Sequence, residues 1–298
     1  MLCRVKAIIE KLTKGFFDKA ESRGETMINV VVAGAAGRMG TRIIHMIQKE
    51  KAFVLTGAFE RQDHPAVGKD VGEVVGLGTI ELTLTGSVGE AMKGADVLID
   101  FTTPESTLEN IRFISKSGQA MVIGTTAIVG EQETELNRLA RGIRCVKSPN
   151  MSVGVNVLFK VVQDVSRTLG KEYDIEIFEA HHRLKKDAPS GTAMHLAKIA
   201  ADATDRNVDS DAVYERRGYI GVRKDTEIGI QSIRAGDIVG EHTVLFAGTG
   251  ERIEITHRAH SRDNFARGAL LAATWVVKQP NGLYDMQDVL GLRERKHV

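Results

Sequence analysis

Cysteine is scarce in this sequence, since only Cys3 and Cys145 occur, far apart and without a C-x-x-C spacing. Neither a disulfide framework nor a thiolate zinc site is therefore expected. Long apolar runs are also missing, because no stretch approaches the roughly 18 residues that span a bilayer. We predict a protein of the reducing cytoplasm with no membrane partner.

Excess charge is equally scarce, because 40 basic and 39 acidic side chains leave a formal net charge of +1. No overall field is available to attract nucleic acid, so we expect no nucleic-acid partner and look for anion binding at local groups. With 298 residues and 42% hydrophobic content, the chain can bury a large core. Its length predicts two domains, since one domain usually takes about 100–200 residues.

Residues 1–26 contain acidic side chains and lack the long apolar stretch of a secretory signal. This segment therefore matches neither a secretory signal nor an acid-poor transit peptide. Apolar residues from Val5 to Phe17 recur at helical spacing, which allows a short amphipathic helix. We interpret residues 1–26 as an N-terminal appendage, or as the result of a start codon upstream of Met27.

The apolar run INVVVAG leads directly into GAAGRMG, which places Gly34, Gly37 and Gly40 between a buried strand and a helix. This order is typical of a dinucleotide-binding fold. Glycine lets the backbone approach a pyrophosphate, and the N–H groups at the start of the helix stabilise its charge. The spacing G-x-x-G-x-x-G departs from the common G-x-G-x-x-G, so the glycines alone are weak evidence.

The next strand supports the same interpretation, because it ends at Glu60, where such folds place an acid that binds ribose hydroxyls. Arg61 follows and can pair with a 2′-phosphate. Strand and helix patterns then alternate through ADVLIDFTTPES, QAMVIGTT and IRCVKSPN. We predict an α/β fold whose dinucleotide-binding domain, residues 27–151, has a doubly wound Rossmann-type parallel sheet.

Beyond Met151 the pattern changes to runs of strands, namely DIEIFEA, EIGIQSIR, IVGEHTVLFAG and ERIEITHRA. Few helices separate them, which predicts a second α+β domain of mixed or antiparallel sheet over residues 152–262. The helical segment NFARGALLAATWVVK then begins the last part of the chain. We expect residues 263–298 to return to the dinucleotide-binding domain.

The stretch EAHHRLKKDAPSGTA is the densest group of titratable residues. His181 and His182 end a strand and point to opposite faces, so one can act while the other binds or orients a ligand. PSGTA opens a helix in which Gly191 lets a ligand approach the backbone and Thr192 or the preceding serine can cap the helix. With Lys185 nearby, the stretch indicates a site for an anionic small substrate and a proton donor.

Other classes of protein share parts of this pattern. A relative of aldehyde or homoserine dehydrogenases would have the first domain without the HHRLKKDAPSGT cluster, and a nucleotide sensor would lack the acid. A metal enzyme is a third alternative, because His257 and His260 form H-x-x-H and can join His181. No acidic ligand pair lies near them in the sequence, so we predict no metal site.

Several long motifs occur in order, namely GAAGRMG, DFTTPE, VIGTT, NMSVGVN, EAHHRLKKDAPSGTA and AGDIVGEHT. From Met27 essentially to the C-terminus, the sequence resembles the dihydrodipicolinate reductase family of diaminopimelate and lysine synthesis. The resemblance implies NAD(P)H-dependent reduction of the cyclic imine derived from 4-hydroxy-tetrahydrodipicolinate to tetrahydrodipicolinate. It also implies a homotetramer built through the second-domain sheet, so that residues 152–262 bind substrate and form the oligomer.

Carried over residue by residue, the resemblance places the general acid at His181 and the catalytic lysine at Lys185. The carboxylates of the small dicarboxylate substrate would contact His182, Gly191 and Thr192. NADH or NADPH would lie along Gly34, Ala35, Ala36, Gly37, Arg38, Met39, Glu60, Arg61, Gly124, Thr125, Thr126, Ser148, Pro149, Asn150 and Met151.

The sequence departs from the family pattern at Ala127, which follows GTT where glycine is frequent. It also has Ser148-Pro149 in place of a small apolar pair. Both departures lie outside the reacting groups, so the resemblance implies the same reaction. We expect the enzyme to use both cofactors, because Glu60 favours NADH and Arg61 supplies a charge for NADPH.

Overall fold

The computed structural model describes residues 27–293. The appendage proposed for residues 1–26 lies outside the described residues. The chain forms two compact units. Unit 1 contains the described residues up to Met151 together with those from Asp263 onward, and unit 2 spans Ser152–Arg262.

Unit 1 is built on a six-stranded sheet in the order β11-β5-β4-β3-β1-β2. Every strand pair in it is parallel. The strands are β1 (Ile28–Ala33), β2 (Phe53–Phe59), β3 (Val97–Asp100), β4 (Ala120–Ile123), β5 (Arg144–Lys147) and β11 (Gly282–Tyr284). The strand order reverses between β1 and β3, and parallel sheets bind ligands at such a switch point. The predicted Rossmann-type parallel sheet is confirmed.

Helices cover this sheet, which is why β3 and β4 are buried along their whole length and read as continuous apolar runs. The helices are α1 (Arg38–Ile47), α2 (Val71–Val75), α3 (Val88–Ala91), α4 (Pro104–Ser117), α5 (Gly130–Ala140), α9 (Asp263–Val276) and α10 (Met286–Val289). The ends of α4 follow ordinary capping rules. Thr103 caps α4 by accepting from the Ser106 N–H, Pro104 takes the first turn, and Gly118 ends the helix at φ +78°.

The C-terminal part of the chain completes unit 1. Helix α9 packs on β4, β5 and α1, and β11 pairs with β5 at the edge of the sheet. Gly268 of α9 lies so close to the carbonyl of Met151 that a Cβ would come within 1.7 Å of that oxygen. Residue 268 must therefore be glycine for α9 to pack here.

Unit 2 contains a five-stranded sheet in the order β10-β9-β6-β8-β7. Its strands are β6 (Asp174–His181), β7 (Ala212–Val213), β8 (Ile228–Arg234), β9 (Gly240–Gly248) and β10 (Glu251–Ala259). Strands β6, β8 and β7 run parallel, whereas β9 is antiparallel to β6 and to β10. The sheet is mixed, which confirms the predicted class. The helices are α6 (Val153–Leu169), α7 (Gly191–Ala203) and α8 (Val208–Asp211).

The inner face of the unit 2 sheet packs against α6 and α7. On β6, Ile175 and Ile177 are buried in this core with Phe159 and Leu196. Phe178 points to the opposite face and is 39% exposed, as the alternation of a strand requires. Among the described residues, no helix has the length and apolar character needed to cross a membrane.

Candidate active site

The inner face of β6 changes from apolar to ionisable at the end of the strand. Residues 175, 177, 179 and 181 share this face, so Glu179 and His181 continue the row begun by two isoleucines. The register places Glu179 beside His242 of β9 and Ser232 of β8, and His181 beside Arg234 of β8. Strand pairing therefore gathers several polar side chains at one edge of the core.

Glu179 is the centre of this group and is 1% exposed. Arg234 donates to both of its oxygens, with Nη1 2.9 Å from Oε2 and Nη2 2.8 Å from Oε1. The Ser190 N–H donates to Oε1 at 3.1 Å, and Nδ1 of His181 lies 2.5 Å from Oε2. Burial acts to raise the pKa of Glu179, but the hydrogen bonds from His181 and Arg234 outweigh it and hold that pKa well below its ordinary value. The side chain is an anion that only accepts.

The contact with Glu179 orients His181. An ionised carboxylate has no proton to give, so Nδ1 of the imidazole carries the hydrogen of this bond. Nε2 is then the nitrogen left to exchange a proton with a ligand. It lies against Gly240, where a Cβ would come within 3.0 Å of it. Glycine at this position leaves room for the imidazole ring.

His242 forms the buried side of the group. Its Nε2 lies 3.1 Å from the hydroxyl of Ser190, and its ring is edge-on to that of His181 with centroids 5.2 Å apart. Burial, followed by the charge of His181, lowers the pKa of His242 to about 3. A neutral imidazole therefore occupies this position at physiological pH. Ser190 in turn caps α7, since its Oγ accepts from the Ala193 N–H at 3.2 Å.

The loop after β6 brings a cation to the same edge. The Lys185 ammonium donates to the carboxylate of Asp187 at 2.8 and 2.7 Å. Arg234 also reaches this loop, because its Nη2 donates to the carbonyl oxygen of Asp187 at 2.6 Å. The backbone N–H of Lys185 donates to the carbonyl of His182 at 3.0 Å, which tightens the turn.

Helix α7 begins next to these groups and offers its N-terminus to an anion. Gly191 is its first residue, and a Cβ there would meet nothing within 4 Å. The 13-residue helix directs a partial positive charge toward this end. The structure therefore brings His181, His182, Lys185, Gly191 and Thr192 to one edge of unit 2, between the end of β6 and the start of α7.

The glycine loop of unit 1 has the backbone shape that a dinucleotide requires. Gly34 has φ +64°, and a Cβ on it would lie 2.8 Å from Cγ2 of Thr102. A Cβ on Gly40 would come within 2.1 Å of the Gly34 carbonyl oxygen. Gly37 is the N-cap of α1 and has no side chain with which to cap it. The glycines thus let the loop pack closely on itself and on Thr102, and the N–H groups at the start of α1 fit the phosphates of a pyridine dinucleotide.

Glu60 contacts this loop directly. Its Oε1 accepts a hydrogen bond from the Ala36 N–H at 3.0 Å, although the two residues are far apart in the sequence. Arg61 stands apart, with its side chain 70% exposed and its Nε 3.6 Å from a carboxylate oxygen of Asp63. The acid therefore lies at the glycine loop, and the guanidinium remains accessible to solvent.

The residues of the VIGTT motif are held by a buried network. The hydroxyl of Thr125 accepts from the Thr102 N–H at 3.0 Å and from the Thr107 hydroxyl at 2.8 Å. Both Thr102 and Asn110 donate to the fully buried carboxylate of Asp100. Burial raises the pKa of Asp100, and these hydrogen bonds oppose the shift. Thr125 is committed to this network, whereas Thr126 is exposed.

The segment Ser148–Met151 follows β5. The hydroxyl of Ser148 donates to the carbonyl of Asn150 at 3.0 Å, which closes a tight turn with Pro149 on its exposed side. Met151 is 1% exposed. The side chains of Ser148 and Met151 are thus occupied by the protein.

The H-x-x-H pair belongs to the end of β10. His257 packs its ring against Gly154 of α6, and burial lowers its pKa. Within residues 27–293, no cluster of three or more His, Cys, Asp or Glu side chains has the arrangement of a metal site.

Sequence reasoning assigned no role to Glu179, Arg234 or His242. Glu179 lies inside the quoted motif, and the alternation from Ile175 and Ile177 would have placed it on the inner face. Arg234 and His242 are 55 and 63 residues from Glu179 in the sequence. Only the strand register brings them together.

Comparison with known proteins agrees with this geometry. The family model for the dihydrodipicolinate reductase N-terminus matches residues 28–151, and the model for its C-terminus matches residues 154–290. The 4-hydroxy-tetrahydrodipicolinate reductase of Syntrophobacter fumaroxidans is 56% identical over 267 residues, which are 90% of this chain and 100% of that protein. The enzyme of Syntrophus aciditrophicus is 51% identical over the same shares of both chains.

Solved structures extend the likeness to three dimensions. A dipicolinate-bound dihydrodipicolinate reductase from Paenisporosarcina sp. TG-14 has a TM-score of 0.68 and 25% identity, over 88% of this chain and 99% of that one. An amine dehydrogenase from Mycobacterium smegmatis has a TM-score of 0.57 and 15% identity, over 91% and 98%, which shows a shared fold alone. Since both family models and close relatives cover most of its length, the chain belongs to the dihydrodipicolinate reductase family.

Proposed function

We propose that this chain is an NAD(P)H-dependent oxidoreductase that reduces the cyclic imine derived from 4-hydroxy-tetrahydrodipicolinate to tetrahydrodipicolinate. Membership of the family supports the reaction. The observation that carries the chemistry is the contact between Glu179 and Nδ1 of His181, which leaves Nε2 as a proton donor beside a cation and a helix N-terminus. The product would serve diaminopimelate and lysine synthesis.

His181 would act as the general acid. When bound, NADH or NADPH would supply a hydride, and an unsaturated imine conjugated with a carboxylate would then carry negative charge on its framework. Nε2 of His181 would give the proton that neutralises this charge. An imidazole suits the role because its ordinary pKa lies near neutrality.

Lys185 and the start of α7 would bind the carboxylates of a small dicarboxylate. The ammonium of Lys185 can leave Asp187 for a substrate carboxylate, while the N–H groups at Gly191 and Thr192 donate hydrogen bonds to the second one. His182 would contribute a further contact. The solved relative is dipicolinate-bound, and dipicolinate carries two carboxylates on one ring.

The pyridine nucleotide would lie on unit 1, along the glycine loop and the ends of the neighbouring strands. Glu60 at the loop would bind the adenosine ribose, and the exposed Arg61 would pair with the 2′-phosphate of NADPH. The exposed Thr126 would face the ligand more directly than Thr125, whose hydroxyl has protein partners. The enzyme would use both NADH and NADPH.

We also propose a cytoplasmic homotetramer assembled through the outer face of the unit 2 sheet. Phe178 and Ile233 on this face are 39% and 53% exposed. Copies packed face to face would remove this apolar surface from water. Light scattering on the purified protein gives the mass directly, and a monomer at micromolar concentration would exclude the assembly.

The decisive experiment is a coupled assay in which the substrate is generated in place and the loss of nicotinamide absorbance is followed. Turnover that depends on both the substrate-generating enzyme and this protein supports the proposal. Absence of turnover with NADH and with NADPH, from a protein that is folded by circular dichroism, contradicts it.

A further inference from the structure

We infer that Glu179 and Arg234 are positioning residues for the reduction, with Arg234 fixing Glu179 and Glu179 fixing the tautomer and ring orientation of His181. The inference rests on the proposed role of His181 as proton donor. Neither residue needs to touch the substrate or the nucleotide for this role. Both act through the imidazole and through the loop that carries Lys185.

Each carboxylate oxygen of Glu179 accepts two hydrogen bonds. Oε2 accepts from Arg234 and His181, and Oε1 accepts from Arg234 and the Ser190 N–H. Every partner is a donor. A glutamine in this place would therefore turn an N–H2 group toward two of these donors whichever way its amide faced, and hydrogen bonds on that side would be lost.

Arg234 has a second contact that a plain counter-ion would not need. The nitrogen that donates to Oε1 of Glu179 also donates to the carbonyl oxygen of Asp187 at 2.6 Å. Asp187 in turn pairs with the ammonium of Lys185. One planar guanidinium therefore ties the loop with the cation to the strand with the imidazole, which a lysine cannot do with the same geometry.

Charged and titratable groups face His181 from each neighbouring element. Glu179 lies on its own strand, Arg234 on β8 and His242 on β9, while Lys185 and Asp187 lie on the loop that follows β6. His242 is neutral at physiological pH, so it adds no charge. The anion of Glu179 is in direct contact with Nδ1 of the imidazole.

The test compares Glu179→Gln and Arg234→Lys with a matched control, Glu135→Gln. Glu135 lies on α5 in unit 1, where Arg112 donates to both of its carboxylate oxygens at 2.8 Å. Loss of either positioning residue should lower kcat about 10- to 100-fold, less than loss of the donor itself. The profile of kcat/KM against pH should change in Glu179→Gln, which replaces the anion beside the imidazole with a neutral amide. The control should keep both kcat and the pH profile.

Nitrogen-15 NMR of the substrate-free protein gives a readout that does not depend on turnover. The wild type should show His181 protonated at Nδ1 when neutral, and Glu179→Gln should shift its neutral ring toward the Nε2-protonated tautomer. If Glu179→Gln does not fold, Glu179→Asp replaces it in both measurements, because the shorter side chain cannot keep its carboxylate 2.5 Å from Nδ1 of His181. Variants that lose only thermal stability, with an unchanged tautomer and pH profile, would overturn the positioning role.

The two proposals fail in different ways. A wild-type protein without reductase activity contradicts the proposed function, because it removes the reaction in which His181 donates a proton. An active wild type whose His181 tautomer is insensitive to Glu179 contradicts the positioning role alone. Nucleotide affinity, measured with NADH by fluorescence, should stay within about twofold in the Glu179 and Arg234 variants, since these residues lie in unit 2.

Discussion

The imidazole of His181 is the side chain on which the proposed chemistry depends most. Replacing it with alanine should lower kcat by roughly 10²–10⁴, the range for a positioned general acid, and should leave NADH affinity nearly unchanged. Steady-state kinetics and nucleotide titration separate the two effects. A loss confined to KM would instead assign His181 to substrate binding.

Arg61 decides the choice between the two cofactors in the proposed scheme. Arg61→Ala should weaken the binding of NADPH by about ten- to a hundredfold and leave the binding of NADH nearly unchanged, because Arg61 would pair only with the 2′-phosphate. The measurement is the ratio of kcat/KM for the two cofactors in wild type and variant. Equal weakening of both would show that Arg61 does not read the 2′ position.

At individual positions, the sequence predicts the motif residues better than their partners. The family resemblance is confirmed, whereas the roles carried over to His181 and the other site residues stay predictions. Glu179 was overlooked because a charged residue in a strand is usually exposed, yet here four hydrogen bonds compensate its burial. Arg234 was overlooked because no local pattern specifies strand register.

The loop that joins β4 to α5 contains a backbone conformation that suits glycine. Ala127 has φ +61° and is exposed. A Cβ in this region is strained, so Ala127→Gly should raise the free energy of unfolding by about 0.5–1 kcal/mol despite the greater freedom of glycine in the unfolded chain. Urea unfolding measures the change.

The matched control for this prediction is Gly118→Ala at the end of α4. Gly118 has φ +78°, and a Cβ there would meet nothing within 4 Å. The substitution should lower the free energy of unfolding by about 1 kcal/mol, since only the backbone conformation opposes it. If both variants shift stability in the same direction, φ at these positions does not control the effect.

Long periodic segments of the fold are predictable, and short ones are not. The apolar runs that became β1, β4 and β6 and the helical pattern of α9 all correspond to observed elements. The edge strand Gly282–Tyr284 gave no signal, because its three residues are too few to show alternation. This segment forms a strand because it pairs with the exposed edge of β5.

The pH dependence of folding should reveal the buried histidine. The pKa of His242 is lowered from 6.5 to about 3, so below pH 6.5 the unfolded chain takes up a proton that the folded one does not. Stability is therefore lost as the pH falls from about 6.5 toward 3. The loss should reach about 2 kcal/mol by pH 5. Because the pKa of Glu179 is also lowered, the folded protein loses further stability as the pH falls below 4.5, the ordinary pKa of a glutamate.

His242→Gln isolates this contribution, because an amide can keep a hydrogen bond to Ser190 and does not titrate. The variant should show a flatter decline in unfolding free energy between pH 6.5 and 5 in urea titrations. The raised pKa of Asp100 stabilises the folded state as the pH falls, because the folded protein takes up that proton before the unfolded chain does. This contribution is the same in the variant and in the wild type. Identical slopes in variant and wild type would contradict the assignment.

Residues 1–26 contain none of the family motifs, and the family models begin at residue 28. A protein starting at Met27 should therefore keep both its assembly and its activity. Light scattering and the coupled assay, run beside the full chain, test this directly. Loss of either property would give the first residues a role in the core or in subunit contacts.

The two parts of unit 1 are separated by the uninterrupted span of unit 2, and this has a consequence for synthesis on the ribosome. About 135 residues separate β5 from β11, which at the usual elongation rate of about 5–20 residues per second takes roughly 7–27 s. During that interval the nascent chain has β5 as an open edge and lacks helix α9 over β4 and β5. Unit 2 can finish its own sheet first. The exposed edge of β5 is then open to mispairing with another chain.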